Sequence, residues 1–335
     1  MRPLEGTRIL DFGRYAPGPY ASLVCASLGA EVIKLEAPPD GDPLRGLDPV
    51  AFDRLNAGKK SVVLDLKSPN GVARCRDLVE TSDVLIESFR PGVMARLGLG
   101  FEAVQELAPR IVYVSISGYG QSGPYRSRAG HDVNYVASTG GLSGVGKPLP
   151  MQVADFASGG LFGVVGILAA LMEGRGRYLD LSMQEGLLSL SMLAAGASAD
   201  ALSGRYPGYA VYATRDGGTL AVGALEPKFW KSFCDAVDRP DLIARHLDPS
   251  ARDAVAALVL SRTQSEWETL IASASLGDVC VEIVRDPERA LEHPQAVHRG
   301  HDTWSFRLPF AIPGDEPLAA PTLGEHSEEI LGALG

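Results

Sequence analysis

The chain has 335 residues, which is more than one hydrophobic core usually supports, so two domains are expected. With 45% hydrophobic and 21% charged residues, its composition is that of a globular protein and excludes a disordered or collagen-like one. A net charge of −10 disfavours nucleic acid as a partner, because phosphates attract a basic surface. A phosphate-bearing ligand would need local Arg and Lys side chains.

The N-terminal half alternates short apolar strands with helical patterns. Pro17–Leu28 is predicted as a helix that Gly29 ends, and Ser68-Pro69 supplies an N-cap and a first-turn proline for another. Because parallel strands need helical crossovers, this alternation predicts an α/β fold with a mostly parallel sheet. Its strands are predicted at Arg8–Phe12, Glu31–Leu35, Ser61–Leu66, Asp83–Glu87, Ile111–Ser117 and Tyr178–Leu181.

The apolar stretch Leu161–Met172 follows Asp155 and is too short to span a bilayer. It is apolar nearly all round, which predicts a buried core helix. The N-terminus has no signal-peptide pattern, so we expect a cytoplasmic protein without a membrane partner. The cysteines form no CxxC pair, which predicts buried reduced thiols rather than disulfides or a zinc site. They are Cys25, Cys75, Cys234 and Cys280.

The pattern changes near Tyr212. Asp216-Gly217-Gly218 lies between two alternating segments, Val211–Thr214 and Thr219–Val222, which predicts a hairpin. Short helices and a strand at Val279–Val284 follow. We therefore predict a large domain over residues 1–205, a smaller α+β domain over 210–300, and a C-terminal segment over 303–335 that includes a short helix.

Two glycine-rich motifs resemble nucleotide-binding loops. Gly118–Gly123 matches G-x-G-x-x-G after a strand, but Pro124 and a polar run follow where a helix should begin. Gly141–Lys147 matches a phosphate-binding loop, but Pro148 replaces the Ser or Thr that would hold Mg²⁺. The pattern therefore favours plain glycine loops over nucleotide sites.

Three polar residues stand next to predicted helix starts and are candidates for acid–base chemistry. His131 precedes Asp132, a natural N-cap, so it is either a structural histidine or a proton-transfer group beside free N–H donors. Asp155 opens the apolar helix, either as its N-cap or as a carboxylate close to a ligand. Glu226 precedes Pro227 at another helix start, where a solvated acid is also favoured by the helix dipole.

An ordered series of motifs runs through the chain: Pro3–Asp11, Ala16–Pro19, Leu28–Glu36, Leu64–Lys67, Phe89–Val93, Gly118–Pro124 and Leu323–Leu331. With this series the chain resembles family III of the CoA-transferases (the CaiB/BaiF superfamily), and within it the α-methylacyl-CoA racemases. The resemblance implies a Rossmann-like large domain built from both chain ends, a small inserted domain, and two interlocked subunits. The active site would lie between one subunit's large domain and its partner's small domain.

Three positions are similar to those of the racemases: His131 in Gly-His-Asp, Asp155 in Ala-Asp-Phe and Glu226 in Gly-Ala-Leu-Glu-Pro. The resemblance implies that His131 and Asp155 exchange the α-proton of a 2-methylacyl-CoA from lipid breakdown. Glu226 would orient the imidazole, and the backbone N–H of Asp132 would face the enolate oxygen.

Two other functions stay open. A transferase would use Asp132 as its nucleophile, in a family motif that has Tyr or Phe where this chain has His131. A non-catalytic acyl-CoA-binding protein is the third reading, although binding alone needs none of the residues His131, Asp155 and Glu226.

The family pattern implies that CoA binds as part of the thioester, without a metal or a separate cofactor. Lys67, Arg90 and Arg96 suit phosphates, and the alternative for each is a solvated surface cation. Ala37 replaces an Arg of the racemases, so its contact is either missing or supplied by Lys34 or Arg45. The implied CoA-binding residues are Leu64, Asp65, Leu66, Lys67, Ser88, Phe89, Arg90, Arg96, Gly130, His131, Asp132, Val133, Asn134 and Tyr135. The methionines that would line the acyl pocket, or else pack in the core, are Met151, Met183 and Met192.

Overall fold

The computed structural model describes residues 2–273, 279–301, 303–310 and 318–334. The chain forms two compact units, one of Met1–Ser191 with Trp304–Gly335, the other of Met192–Thr303. The first unit therefore contains both ends of the chain. The second unit begins before residue 210, where the predicted small domain starts. Within it, Arg252 donates a hydrogen bond to the carbonyl of Gly204, which ties the preceding segment to this unit.

The six strands of the first unit are β1 (Arg8–Asp11), β2 (Glu31–Glu36), β3 (Lys60–Val63), β4 (Val84–Glu87), β5 (Val112–Ser117) and β6 (Arg177–Ser182). They form one parallel sheet in the order β3-β2-β1-β4-β5-β6, which confirms the predicted α/β fold. Every position of β4 and β5 is buried, which explains their nearly uninterrupted apolar sequences.

Two hydrophobic cores lie on opposite faces of this sheet. Ile9 packs in one core and Leu10 in the other, because successive strand residues point to opposite faces. The helix predicted after Ser68 is confirmed, and the Ser68 hydroxyl accepts a hydrogen bond from the N–H of Gly71 at 3.0 Å. The first helices are α1 (Pro17–Ser27), α2 (Leu44–Leu47), α3 (Pro49–Asn56), α4 (Pro69–Glu80), α5 (Val93–Arg96), α6 (Phe101–Leu107) and α7 (Asp132–Ser138).

The longest helical segment runs from Val153 to Glu173, first as a π-helix (Val153–Leu161) and then as α8 (Phe162–Glu173). This helix of 21 residues is long and apolar enough to cross a membrane, by length and composition alone. The prediction that the apolar segment is too short to span a bilayer is therefore wrong. The helix is longer because Asp155 is not its N-cap: the helix begins two residues earlier. Core helices of globular proteins can be equally long and apolar, and here Ile167 is fully buried in the core. Leu161 and Val165 are exposed, however, so the predicted burial is wrong for one face of the helix.

The second unit has a three-stranded antiparallel sheet, β7 (Tyr209–Ala213), β8 (Thr219–Gly223) and β9 (Val281–Ile283), in that order. The predicted hairpin is confirmed. Trp230, Phe233 and Trp267 are fully buried in a core of its own. The remaining helices are α9 (Met183–Leu190) in the first unit, then α10 (Ala197–Leu202), α11 (Pro227–Ala236), α12 (Arg252–Leu260), α13 (Gln264–Ala272) and α14 (Pro294–His298), with α15 (Ser327–Gly332) back in the first unit. Short 3₁₀ helices are Pro240–Arg245, Pro249–Ala251 and Pro287–Glu292.

Sulfur-containing side chains follow the sequence predictions only in part. Cys280 is exposed, against the prediction, whereas the other three cysteines are buried, and all four are free thiols. Met183 is buried, but Met151 and Met192 are largely exposed, so the core alternative fails for those two.

Candidate active site

A cavity of the first unit lies where the order of its sheet reverses. Chain connections leave β1 and β4 in opposite directions, and in such sheets ligands bind beyond the carboxyl ends of these strands. A cavity of about 520 Å³ occupies this position. Its walls come from the segments that follow β1, β4 and β5: Arg14, Tyr15 and Pro17; Ser88–Pro91; and Ser117–Tyr119. The strand order therefore gathers residues that are distant in sequence.

Four arginines line this cavity: Arg14, Arg90, Arg126 and Arg128. The chain as a whole carries a net charge of −10, so this concentration of positive charge is local. Guanidinium groups bind phosphate oxygens through paired hydrogen bonds. The cavity is therefore equipped to hold a phosphorylated ligand in an otherwise acidic protein.

Arg14 is held in place by the loop that follows β1. Its backbone N–H donates to the Ser88 hydroxyl at 3.1 Å, and its guanidinium lies 5.0 Å from the centre of the Phe89 ring. The Lys34 ammonium, itself buried, donates to the carbonyl of Gly13 at 2.9 Å. These contacts fix the path of the loop and direct Arg14 toward the segment after β4.

Two basic residues suggested as substitutes for the missing arginine at Ala37 are engaged elsewhere. Lys34 forms a buried ion pair with Asp42 at 2.9 Å. Arg45 pairs with Glu36 at 2.8 Å, and this contact holds the pKa of the Glu36 carboxyl below its usual value despite burial. Neither cation is free to bind a phosphate.

The loop before α7 is shaped by close packing against Tyr135. A Cβ atom at Gly118 would lie 2.4 Å from the Tyr135 hydroxyl, and one at Gly130 would lie 2.8 Å from the ring. The hydroxyl donates to the carbonyl of Gly130 at 2.7 Å. The absence of a side chain at Gly118 and Gly130 thus makes room for the Tyr135 ring. No helix begins at Gly123, so the prediction of a plain glycine loop is confirmed. His131 follows directly and is exposed in the cavity.

His131, rather than Asp132, is the N-cap of α7, which corrects the prediction. The Asn134 side chain accepts the backbone N–H of His131 at 3.0 Å and stabilises this helix start. Asp132 is the first helical residue and is buried. One of its carboxylate oxygens accepts two backbone N–H groups, from Ala154 at 2.6 Å and from Asp155 at 3.0 Å. Asp132 therefore caps the long helix across space.

Asp155 lies in the first turn of the π-helix, next to the capping carboxylate. Burial raises the pKa of the Asp155 carboxyl, and the negative charge of Asp132 raises it further, to about 7. A carboxyl group with this pKa can both accept and donate a proton near neutral pH. Such a perturbed group in a cleft is a typical mark of an active site.

A second cavity, of about 190 Å³, shares His131 and Asp155 with the arginine-lined one. The remaining lining residues are Asp132, Val133, Val136, Leu142, Pro148, Leu149 and Gln152. His131 and Asp155 therefore stand between an arginine-lined chamber and a smaller one, which is lined by five apolar and four polar or charged residues. A ligand that enters both chambers must pass these two side chains.

The structure gathers part of the predicted CoA-binding set. The predicted residues that line the arginine-lined cavity are Ser88, Phe89, Arg90, Gly130, His131, Asn134 and Tyr135, whereas Asp132 and Val133 line the second cavity. Leu64–Lys67 and Arg96 are not among the described residues that line either cavity. Lys67 and Arg96 are exposed side chains. Glu226 belongs to the second unit, where it is the N-cap of α11.

Sequence analysis missed Arg14, Arg126 and Arg128. The sequence does contain an indication for Arg14: it follows the first strand of a predicted parallel sheet, and ligand contacts are common at that end of a strand. Arg126 and Arg128 lie in the polar run after Gly123, which gave no periodic pattern. Their approach to the cavity depends on the path of the loop.

The model of CoA-transferase family III matches residues 4–327. Human alpha-methylacyl-CoA racemase is 34% identical over 99% of this chain and 93% of its own length. Human succinyl-CoA:glutarate CoA-transferase is 30% identical over 99% of this chain and 86% of its own length. Among solved structures, the hypothetical protein Rv3272 from Mycobacterium tuberculosis is 29% identical, with a TM-score of 0.83 over 98% of this chain and 99% of that chain. A CaiB/BaiF family protein from Brucella suis, 23% identical, shares the fold over both full lengths, with a TM-score of 0.83.

Proposed function

Because the chain belongs to CoA-transferase family III, whose members act on CoA thioesters, we propose that it racemises 2-methylacyl-CoA. In this proposal His131 and Asp155 are the two proton-transfer groups. The observation that carries it is that these two side chains line both cavities. The α-carbon of a thioester between the chambers would lie within reach of both.

The charge of the two chambers suggests how the substrate binds. The phosphates of CoA would be held by Arg14, Arg90, Arg126 and Arg128, and the acyl group would enter the smaller chamber, against Val133, Val136, Leu142 and Leu149. CoA is thus part of the substrate, and we propose no separate cofactor or metal.

Inversion requires one group to remove the α-proton and another to return a proton to the opposite face. The pKa of about 7 suits Asp155 to either task near neutral pH. When Asp155 is the base, His131 begins protonated and donates; in the reverse direction the roles exchange. The carbanion is delocalised onto the thioester oxygen as an enolate.

The enolate oxygen needs a hydrogen-bond donor. We propose the backbone N–H of Asp132, since first-turn N–H groups have no partner within their own helix. Loss of one such donor typically costs about 3–4 kcal/mol of transition-state stabilisation. Glu226, from the small domain of a partner subunit, would accept the second N–H of the His131 imidazole.

A CoA transferase is the alternative, and the similarity to the succinyl-CoA:glutarate enzyme favours it. Its nucleophile would be the Asp132 carboxylate. That carboxylate is 9% exposed, and one of its oxygens accepts two backbone hydrogen bonds. Hydrogen bonds to an anion stabilise it and lower its nucleophilic reactivity, which supports a capping role for Asp132 and a racemase.

The test is α-proton exchange in D₂O. Separate (R)- and (S)-2-methylbutanoyl-CoA are incubated with the protein, and the α-proton signal is followed by NMR together with the enantiomer ratio. We expect washout with inversion in the wild type. We expect His131→Ala and Asp155→Ala to lower racemisation at least ~100-fold, as loss of a general acid or base does.

Asp132→Asn separates the two functions, because an amide oxygen still accepts the two N–H groups but cannot form an anhydride. A racemase retains α-proton exchange in this variant. CoA transfer to added glutarate that disappears in Asp132→Asn, without α-proton exchange in the wild type, would assign the protein to the transferases instead.

We also propose that the protein is the interlocked homodimer that the resemblance implies. One face of the long helix exposes Leu161, Val165 and Met172, which are 44%, 60% and 89% accessible. These residues are spaced four and seven apart and so share one face. An exposed apolar stripe of this kind is typical of a protein contact. A cytoplasmic location remains a prediction.

A further inference from the structure

The chamber opposite the arginines differs from the arginine-lined cavity in size and in charge. We propose that it selects a short, uncharged, branched acyl group and rejects both long chains and dicarboxylic acyl groups. This inference rests on the proposed function, because it assigns the substrate class of the same site.

The volume limits the chain length. A cavity of 150 Å³ in another protein accommodates benzene, so a chamber of about 190 Å³ holds roughly seven or eight carbon atoms. The carbonyl and α-carbons would lie at its entrance, between His131 and Asp155. The chamber thus takes the α-methyl group and roughly six further carbons, as in 2-methyloctanoyl-CoA, and not a chain of about twelve.

One side of the chamber is packed against the protein core. Leu142 and Leu149 are half-buried and pack against the first hydrophobic core, and Val136 is buried in it. A Cβ atom at Gly141 would lie 2.7 Å from a methyl carbon of Val136, so the segment after α7 folds closely over its end. Side chains held in this way do not yield easily to a longer acyl chain.

The charge of the chamber disfavours a second carboxylate. Of the nine residues described around it, none is lysine or arginine, and two are the acids Asp132 and Asp155. The remote carboxylate of a succinyl or glutaryl group would be removed from water beside the two acids, and among these nine residues only the His131 imidazolium, which faces the α-carbon at the entrance, could offset its charge. This chamber therefore differs in chemistry from one suited to the dicarboxylic substrates that name several of the relatives.

The experiment measures kcat/KM for α-proton exchange with four thioesters: 2-methylbutanoyl-, 2-methyloctanoyl-, 2-methyltetradecanoyl- and 2-methylsuccinyl-CoA. We expect similar values for the first two. We expect a loss of at least ~10-fold for the tetradecanoyl and ~100-fold for the succinyl compound, since pocket mismatches of this kind discriminate by about one to several orders of magnitude.

Two variants change the chamber in opposite directions. Leu149→Ala enlarges it and should recover exchange with the tetradecanoyl compound. Val133→Phe reduces it from the exposed side of α7, where the fold tolerates a larger side chain, and should lower the ratio of kcat/KM for the octanoyl compound to that for the butanoyl compound. Leu47→Ala, exposed and outside both cavities, is the matched control and should change none of the ratios.

The possible outcomes distinguish a failure of the proposed acyl-group selectivity from a failure of the proposed racemase activity. Exchange with all thioesters at equal or rising rates with chain length, or a preference for the succinyl compound, would overturn the acyl selectivity but leave the racemase in place. Absence of exchange with every thioester would overturn the proposed function itself. A Leu149→Ala variant that fails to fold leaves Val133→Phe to decide.

Discussion

Asp132 and Asp155 carry the same side chain, but the two carboxyl groups have different surroundings. Asp132 accepts two backbone N–H groups at 2.6 and 3.0 Å and so caps the long helix. Asp155 is buried beside that negative charge, which raises its pKa to about 7. At the residue scale, Asp132 positions the backbone of Asp155 and raises the pKa of its carboxyl, which is the group that we propose transfers the proton.

The pH dependence of exchange follows from this pair. In the direction in which Asp155 is the base, it must be deprotonated, so kcat/KM should rise as pH passes through about 7. Asp132→Asn removes the like charge and lowers the pKa of Asp155, so the rise should move to lower pH. The measurement is the rate of α-proton exchange from pH 5 to pH 9 for each enantiomer.

A buried acid elsewhere provides the control. Burial raises the pKa of Glu87, at the end of β4, to about 7 as well. Glu87→Gln should leave the rise in place, because Glu87 lines neither cavity described here. If the pH at which kcat/KM rises shifts in Glu87→Gln but not in Asp132→Asn, Asp155 is not the titrating group.

The long helix from Val153 to Glu173 connects the site to the core. Its π-helical start carries Asp155 and is capped by Asp132, and π-segments inside helices are frequent at functional sites. Gly159, in this segment, lets three other elements approach: a Cβ there would lie 3.1 Å from Met183, 3.1 Å from Pro17 and 3.2 Å from Ile116. At the scale of elements, close packing fixes the position of the helix segment that carries Asp155.

Two glycines on this helix give a matched pair of variants. Gly159→Ala should lower the free energy of unfolding by about 1–3 kcal/mol, because three packed neighbours must shift. Gly163→Ala meets no atom closer than 3.5 Å and should raise it by up to about 1 kcal/mol, as alanine favours a helix. Urea denaturation measures both. Equal effects of the two substitutions would contradict the packing argument.

The first unit is completed by the C-terminal end of the chain. The N–H of His326 donates to the carbonyl of Ser61 at 3.0 Å, and the N–H of Val63 donates to the Ser327 hydroxyl at 3.0 Å. These residues cover β3, an edge strand with unpaired backbone groups. At the scale of the whole molecule, the C-terminal segment thus covers the edge strand β3. The apolar stripe of Leu161, Val165 and Met172, by contrast, is exposed to water in the single chain.

The proposed homodimer predicts the effect of a charge on that stripe. Val165→Glu should convert a dimer to a monomer, because a carboxylate in an apolar contact loses its hydration without a partner. The molar mass from light scattering after size-exclusion chromatography measures this. Leu260→Glu, exposed on the second unit, is the control and should stay dimeric. A monomeric wild type, or a dimeric Val165→Glu, would contradict the proposed contact.

The sequence alone determined the elements and the family. The six parallel strands, the hairpin and the helix after Ser68 follow from local patterns of apolar, glycine and proline residues, which act within a few neighbours. The motif series also led to the family that the comparisons show. His131, Asp155 and Glu226 were selected by resemblance, and their roles stay predictions.

Only the tertiary structure decided how distant residues meet. The strand order brings Arg14, Arg90 and Arg126 to one cavity, and nothing local in the sequence encodes that order. It also decided that Asp132 caps a helix more than twenty residues away, and that burial together with the charge of Asp132 raises the pKa of Asp155. Such contacts depend on loop paths and on burial, which are properties of the packed chain and not of any segment of it.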